Sequence, residues 1–112
     1  MYNEIIYLAD EVKTKDKDKY GDPIIKFATS QVFAKQKSIS QTEFYQAQTS
    51  DFKPEVKFKI ADYLDYAGQK YLIHEDMRYK ILRTYRTEEN ELEITCYGGV
   101  RDVVATVSDE DN

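Results

Sequence analysis

The side chains with the most chemical potential in this chain are its only histidine, His74, and its only cysteine, Cys96. A thiol beside an imidazole is the start of a nucleophile–base pair. Cys96, however, keeps phase with Leu92 and Ile94 along an alternating run. It is therefore expected to point into a core, where a thiol is inert. One histidine without a cysteine pair cannot complete a zinc site. His74 stands beside Glu75 and Asp76 and is read as solvated or hydrogen-bonded. Asp62, Asp65, Glu75 and Asp76 raise the question of an acid/base pair or a calcium site. A glycosidase needs two carboxylates held across a sugar cleft, and 112 residues leave little room for one. The spacing also lacks the calcium loop with its central glycine. These acids read as solvated turn residues. Gly21, Gly68, Gly98 and Gly99 match neither standard phosphate-binding pattern. The expectation is a protein that is not an enzyme, with no cofactor and no metal.

The elements that carry these residues read as strands. Residues 4–8 form a short β-branched and aromatic run. Residues 10–22 alternate lysine and aspartate with no apolar partner, and Gly21 and Pro23 punctuate their end; they read as a solvated loop, the alternative being a flexible arm that orders against a partner. Ile24 to Ala28 reads as a brief extended segment, and Val32 to Ile39 as a better strand. Ser40-Gln41-Thr42-Glu43 has the spacing of a capping box, so one or two helical turns are expected before Pro54. Val56, Phe58 and Ile60 then alternate with Lys57 and Lys59, the period of a strand with one buried face. Tyr71 to Ile73 is a short strand. Met77, Tyr79 and Ile81 alternate with Arg78 and Lys80, and Ile81-Leu82 breaks the phase, which suggests a bulge or a change in which face is buried. Residues 87–90 form a polar turn. Leu92, Ile94 and Cys96 complete a hairpin that brings Arg83 and Arg86 near Glu91 and Glu93. Gly98-Gly99 is expected to end that strand, and Val100 to Val107 to form a terminal strand or arm. The fold class is all-β: a small β-barrel with a short helical or loop insertion, one domain over residues 1–107, and an acidic tail at 108–112.

Composition narrows the function. The net charge is −5, mean hydropathy is −0.70, and ten residues are tyrosine. An acidic balance argues against a free nucleic-acid binder, because phosphate neutralisation needs clustered Lys and Arg. No run approaches the roughly 20 apolar residues of a membrane span. The start, Met1-Tyr2-Asn3-Glu4, has no signal-peptide pattern, so a reducing interior is expected. Tyrosine, with an apolar ring and a polar tip, suits protein interfaces.

Several stretches then resemble one family. They are Val32-Phe33-Ala34 followed by Ser38 to Ala47, then Pro54 to Tyr63, then Tyr79 to Tyr85 with Glu91 to Tyr97. In order and spacing these look like the head-tail adaptor, or head-closure, proteins of long-tailed bacteriophages. The resemblance implies a β-barrel that joins a ring, six-fold to match the tail, at the virion neck after assembly in the host cytoplasm. It implies docking below the portal-adaptor ring, attachment of tail proteins, and retention of packaged DNA by proximity. On that reading residues 40–53 are the working excursion. Ser40, Gln41, Thr42, Glu43, Phe44, Tyr45, Gln46 and Gln48 are the candidates for channel contact, and Tyr63, Tyr66, Tyr71, Tyr85 and Tyr97 for subunit or partner contact. The other readings are a tail-completion or minor tail protein, and an oligonucleotide-binding barrel using Lys57, Lys59, Arg78, Lys80, Arg83 and Arg86.

Overall fold

The computed structural model describes residues 2–17, 19–21, 23–41, 53–101 and 107–108. The strands are β1 (Glu4–Lys17), β2 (Pro23–Lys37), β3 (Pro54–Ile60), β4 (Tyr71–His74), β5 (Met77–Arg86), β6 (Leu92–Arg101) and the short β7 (Val107–Ser108). Six of them pair antiparallel in the order β1-β4-β5-β6-β3-β2, and β2 pairs back onto β1. The sheet thus closes on itself, which removes the open edges of a flat sheet. β7 adds in parallel to β2 at Ala28 and Thr29. The all-β class is as the alternating runs indicated. The helical or loop insertion falls mainly on residues 42–52, outside the described residues.

Alternation explains the closure. The buried positions of β3 are Pro54, Val56, Phe58 and Ile60, with Glu55, Lys57 and Lys59 between them. Leu92, Ile94 and Cys96 on β6, Ile6 and Leu8 on β1, Val32 and Ala34 on β2 and Leu72 on β4 join the same cluster inside the ring. Fully burying a side chain such as Phe58 or Ile94 stabilises by about 1.5–3 kcal/mol each relative to exposure. A second, smaller cluster lies on the other face: Ala9, Phe27 and Ile73, flanked by Tyr7 and Tyr71. This is why Leu8-Ala9 and Leu72-Ile73 are apolar at consecutive positions. At the root of the β1–β2 hairpin the sheet is covered on both sides.

Three expectations are corrected. Residues 10–17 are strand, not loop: β1 runs on to Lys17 and its backbone pairs with β2 down to Lys17 opposite Pro23. The register is set by the apolar pairs nearer the ring, such as Ile6 opposite Val32, and the charged stretch continues it as far as Lys13 opposite Ile25, after which the register shifts before Lys17. β2 is likewise one strand, Pro23–Lys37, rather than two segments. Gly98-Gly99 does not end β6. Arg78 faces Val100 and Lys80 faces Tyr97, so two glycines oppose Tyr79 alone. This is a β-bulge with Gly98 at φ 63, the left-handed conformation that a glycine adopts without steric cost. The bulge expected at Ile81-Leu82 is present, as a register shift between Ile81 and Arg83.

β4 pairs with β1 only over Ile6 to Ala9. Beyond Ala9 the β1–β2 hairpin leaves the ring as a two-stranded arm. Eight residues of strand, Asp10 to Lys17, span about 27 Å at about 3.4 Å each. Its root is tied to the end of the β3–β4 connection and the start of β4: the Lys70 N–H donates to Asp10 Oδ1 at 3.0 Å, and the Tyr71 hydroxyl donates to Glu11 Oε1 at 2.9 Å.

Candidate functional site

Strand direction gives the ring two unlike ends. The arm, the β3–β4 connection and the β5–β6 turn share one end. The β2–β3 connection and the β4–β5 turn share the other. Ser40 and Gln41 follow β2 and are exposed. The remaining channel-contact candidates, Thr42, Glu43, Phe44, Tyr45, Gln46 and Gln48, lie outside the described residues.

The five tyrosine candidates do not form one surface. Tyr63 and Tyr66 pack against the main core cluster. A single 3-10 turn, Tyr63–Asp65, sets them there, and Asp62 caps it by accepting from the Leu64 N–H at 2.9 Å. The Tyr66 hydroxyl donates to the Gln69 carbonyl at 3.0 Å, and burial raises its pKa. Tyr71 packs on the outer cluster edge-on to Phe27, ring centroids 5.3 Å apart. Tyr97 is half-buried on β6. Tyr85 is 66% exposed, the most open of the five. The exposed apolar pair Ile5 and Phe33, which face each other across β1 and β2, was not among the candidates. Its only sequence signal is that both residues fall out of phase with the buried alternation.

The groups singled out for chemistry are committed elsewhere. Cys96 is fully buried, and burial pushes its thiol up to about 12, so it carries essentially no thiolate at neutral pH. His74 Nε2 lies 2.8 Å from Glu4 Oε1, and its ring sits 4.9 Å from that of Phe58. The hydrogen-bonded reading holds, and the partner comes from β1, seventy residues away. Glu4, His74 and Glu75 place one ligand atom each within 4.8 Å of one another. These are the residues that could hold a cation among those described, at the end of the ring where the β2–β3 connection leaves. The set has one nitrogen and two carboxylates, fewer ligands than a closed structural zinc site uses. Asp62 is spent on its cap, and Asp76 lies 3.9 Å from Arg101.

Charge is organised on the outer face of β2, β3, β6 and β5. Lys59 approaches Glu91 at 3.6 Å and Glu93 at 4.0 Å, and Lys57 approaches Glu93 at 3.7 Å. The hairpin expected to bring Arg83 and Arg86 near Glu91 and Glu93 is present, with Arg86 opposite Leu92 and Arg83 opposite Thr95, and the two glutamates also reach across to the lysines of β3. The Tyr2 hydroxyl donates to Glu91, which lowers the Glu91 pKa and raises that of Tyr2. Arg86 lies over the Tyr63 ring at 3.9 Å and donates to the Glu89 carbonyl.

Compared with known proteins, the chain matches no protein-family model and no curated sequence.

Proposed function

We propose that this chain is a structural subunit of a bacteriophage neck, of the head-closure type, that docks below the portal-adaptor ring and presents a surface to the tail. The observation that carries the proposal is the closed antiparallel ring with unlike ends, one bearing a two-stranded arm and the other the β2–β3 connection. A subunit of a layered assembly must meet different neighbours above and below, and this arrangement offers each a distinct surface. The exposed Ile5, Phe33 and Tyr85 add apolar and aromatic contact area of the kind enriched at protein interfaces. The resemblance of residues 32–97 to head-tail adaptors supports the same reading. The role does not require catalysis: Cys96 is shut in the core and His74 is bound to Glu4. On this proposal residues 40–53 contact the DNA channel or the neighbouring copies.

The test is to mix the purified chain with DNA-filled, tailless capsids of the same phage that lack this gene product. Binding at the neck, DNA retention and tail joining are then measured. Restoration of retention and tail joining is expected. Binding to isolated tails with none to capsids would replace the head-closure role with tail completion.

A further inference from the structure

We infer that Glu4, His74 and Glu75 bind a divalent transition-metal ion, zinc foremost, at the end of the ring where the β2–β3 connection leaves. Alternation aims the first two donors. Glu4 continues the inward row of Ile6 and Leu8 on β1, and His74 continues that of Leu72 on β4. Both rows are apolar along the core and turn polar only at this mouth. The His74 ring rests on Phe58, with ring centroids 4.9 Å apart, and its side chain is 12% exposed. The imidazole is thus fixed by packing, with Nε2 turned to Glu4 Oε1 at 2.8 Å. The third donor comes from the turn. His74 pairs with Met77, so Glu75 and Asp76 form a two-residue connection. Glu75 holds φ 55, where an L side chain crowds its own backbone. That conformation keeps one Glu75 carboxylate oxygen within 4.8 Å of a ligand atom of each of the other two residues. Among the described residues the Glu75 carboxylate makes no hydrogen bond or ion pair, so it is a donor without another commitment.

The spacing suits an ion. Zinc sits about 2.0–2.2 Å from imidazole nitrogen and carboxylate oxygen, so two donors on one tetrahedral ion stand about 3.4 Å apart. The His74–Glu4 pair need only open from 2.8 Å, and Glu75 need only close in. Rotation of the two glutamate side chains does both and leaves β1 and β4 in place. The donor set chooses the metal. Calcium and magnesium take oxygen ligands, whereas an imidazole with two carboxylates suits zinc and its first-row neighbours. Two carboxylates and a neutral ring also balance a charge of +2. The ion takes the place of the proton between Nε2 and Glu4, and the ring keeps its proton on Nδ1. Three protein donors leave a position for water, as in an open zinc site. Cys96, the softer ligand, is shut in the core and takes no part. This site is independent of the neck role proposed above.

Titration of the chelator-treated full chain with ZnCl2 tests it, by calorimetry and by the NMR signals of the imidazole ring. His74 is the only histidine, so those signals report this site alone. One zinc ion per chain is expected, with ring signals that move and saturate at one equivalent. CaCl2 at the same concentration should leave them in place. Glu75→Gly and His74→Gln should each bind zinc at least tenfold more weakly. Glu75→Gly guards against misfolding, because glycine accepts φ 55 without crowding. That variant should melt no lower than wild type without metal, yet gain nothing from ZnCl2, whereas the wild-type melting temperature should climb with zinc concentration. A wild-type chain without saturable zinc binding overturns the inference. So do zinc binding that leaves the His74 ring signals unmoved, affinity unchanged in Glu75→Gly, and calcium binding as tight as zinc.

Discussion

Replacing Gly99 by alanine tests the bulge on which the β5–β6–β3 junction depends. A Cβ at Gly99 would lie 2.6 Å from Tyr79 Cε1, 2.9 Å from Tyr79 Cδ1 and 2.9 Å from Glu55 Oε1. Carbon atoms prefer about 3.5–4.0 Å, so the ring must move by about 1 Å. Glu55 is a flexible chain and can swing, though it would give up the bond it accepts from the Gly99 N–H at 2.8 Å. Tyr79 is less free, because it packs against the main core. Overpacking of this kind costs about 1–3 kcal/mol. The lost flexibility of the unfolded chain returns about 0.4–1 kcal/mol. The expected net effect is about 1–2 kcal/mol of destabilisation, read as a lower urea midpoint at unchanged slope. The double-mutant cycle with Tyr79→Ala makes the argument specific. With the ring gone, Gly99→Ala should be neutral or slightly stabilising, a coupling of at least about 1 kcal/mol. Gly98→Ala is the contrast: no atom lies within 4 Å of its added Cβ, and the cost comes from φ +63 alone, so it should persist in the Tyr79→Ala background. If Gly99→Ala is as stable as wild type, or equally destabilising with and without the Tyr79 ring, the steric reasoning is wrong.

Four further outcomes follow from the structure. Cys96 should resist iodoacetamide at pH 8 until the chain unfolds. Because burial raises its ionisation from near 9 to about 12, its contribution to stability is complete below pH 9 and is lost as pH climbs toward 12, which alkaline denaturation curves of wild type and Cys96→Ala will separate. The Glu91 carboxyl should titrate by NMR below its ordinary 4.5 and move back toward it in Tyr2→Phe, since the hydroxyl bond is the main cause of the shift; that stabilisation is present above 4.5 and disappears as pH falls through the folded value. Glu75 is the one non-glycine at positive φ among the described residues, at 55°, so Glu75→Gly should stabilise by about 1 kcal/mol in thermal or urea unfolding. Phe58→Ala, which empties a fully buried site against the His74 ring, should cost about 3–5 kcal/mol by the same measurement.

The inner face of the ring was legible in the chain itself. Val56, Phe58 and Ile60, and Leu92, Ile94 and Cys96, alternate with polar residues because a pleated strand sends neighbours to opposite faces, and each of the six is buried. The break at Ile81-Leu82 announced a bulge for the same reason. Cys96 could be placed in the core by phase alone, and with it the absence of a reactive thiol. These are local facts, fixed by a period of two within one strand.

Only the tertiary structure decided the pairings between strands distant in sequence. The charged residues 10–17 lack an apolar pattern of their own. They are strand because β2 lies beside them, in a register that Ile6, Leu8, Val32 and Ala34 set and that holds as far as Lys13. The partner of His74 is Glu4, and Glu91 and Glu93 meet Lys57 and Lys59, because closing the sheet through β1–β4 and β3–β6 brings those rows side by side. A strand's sequence says which way each side chain points, and only the order and register of its neighbours say what that side chain meets.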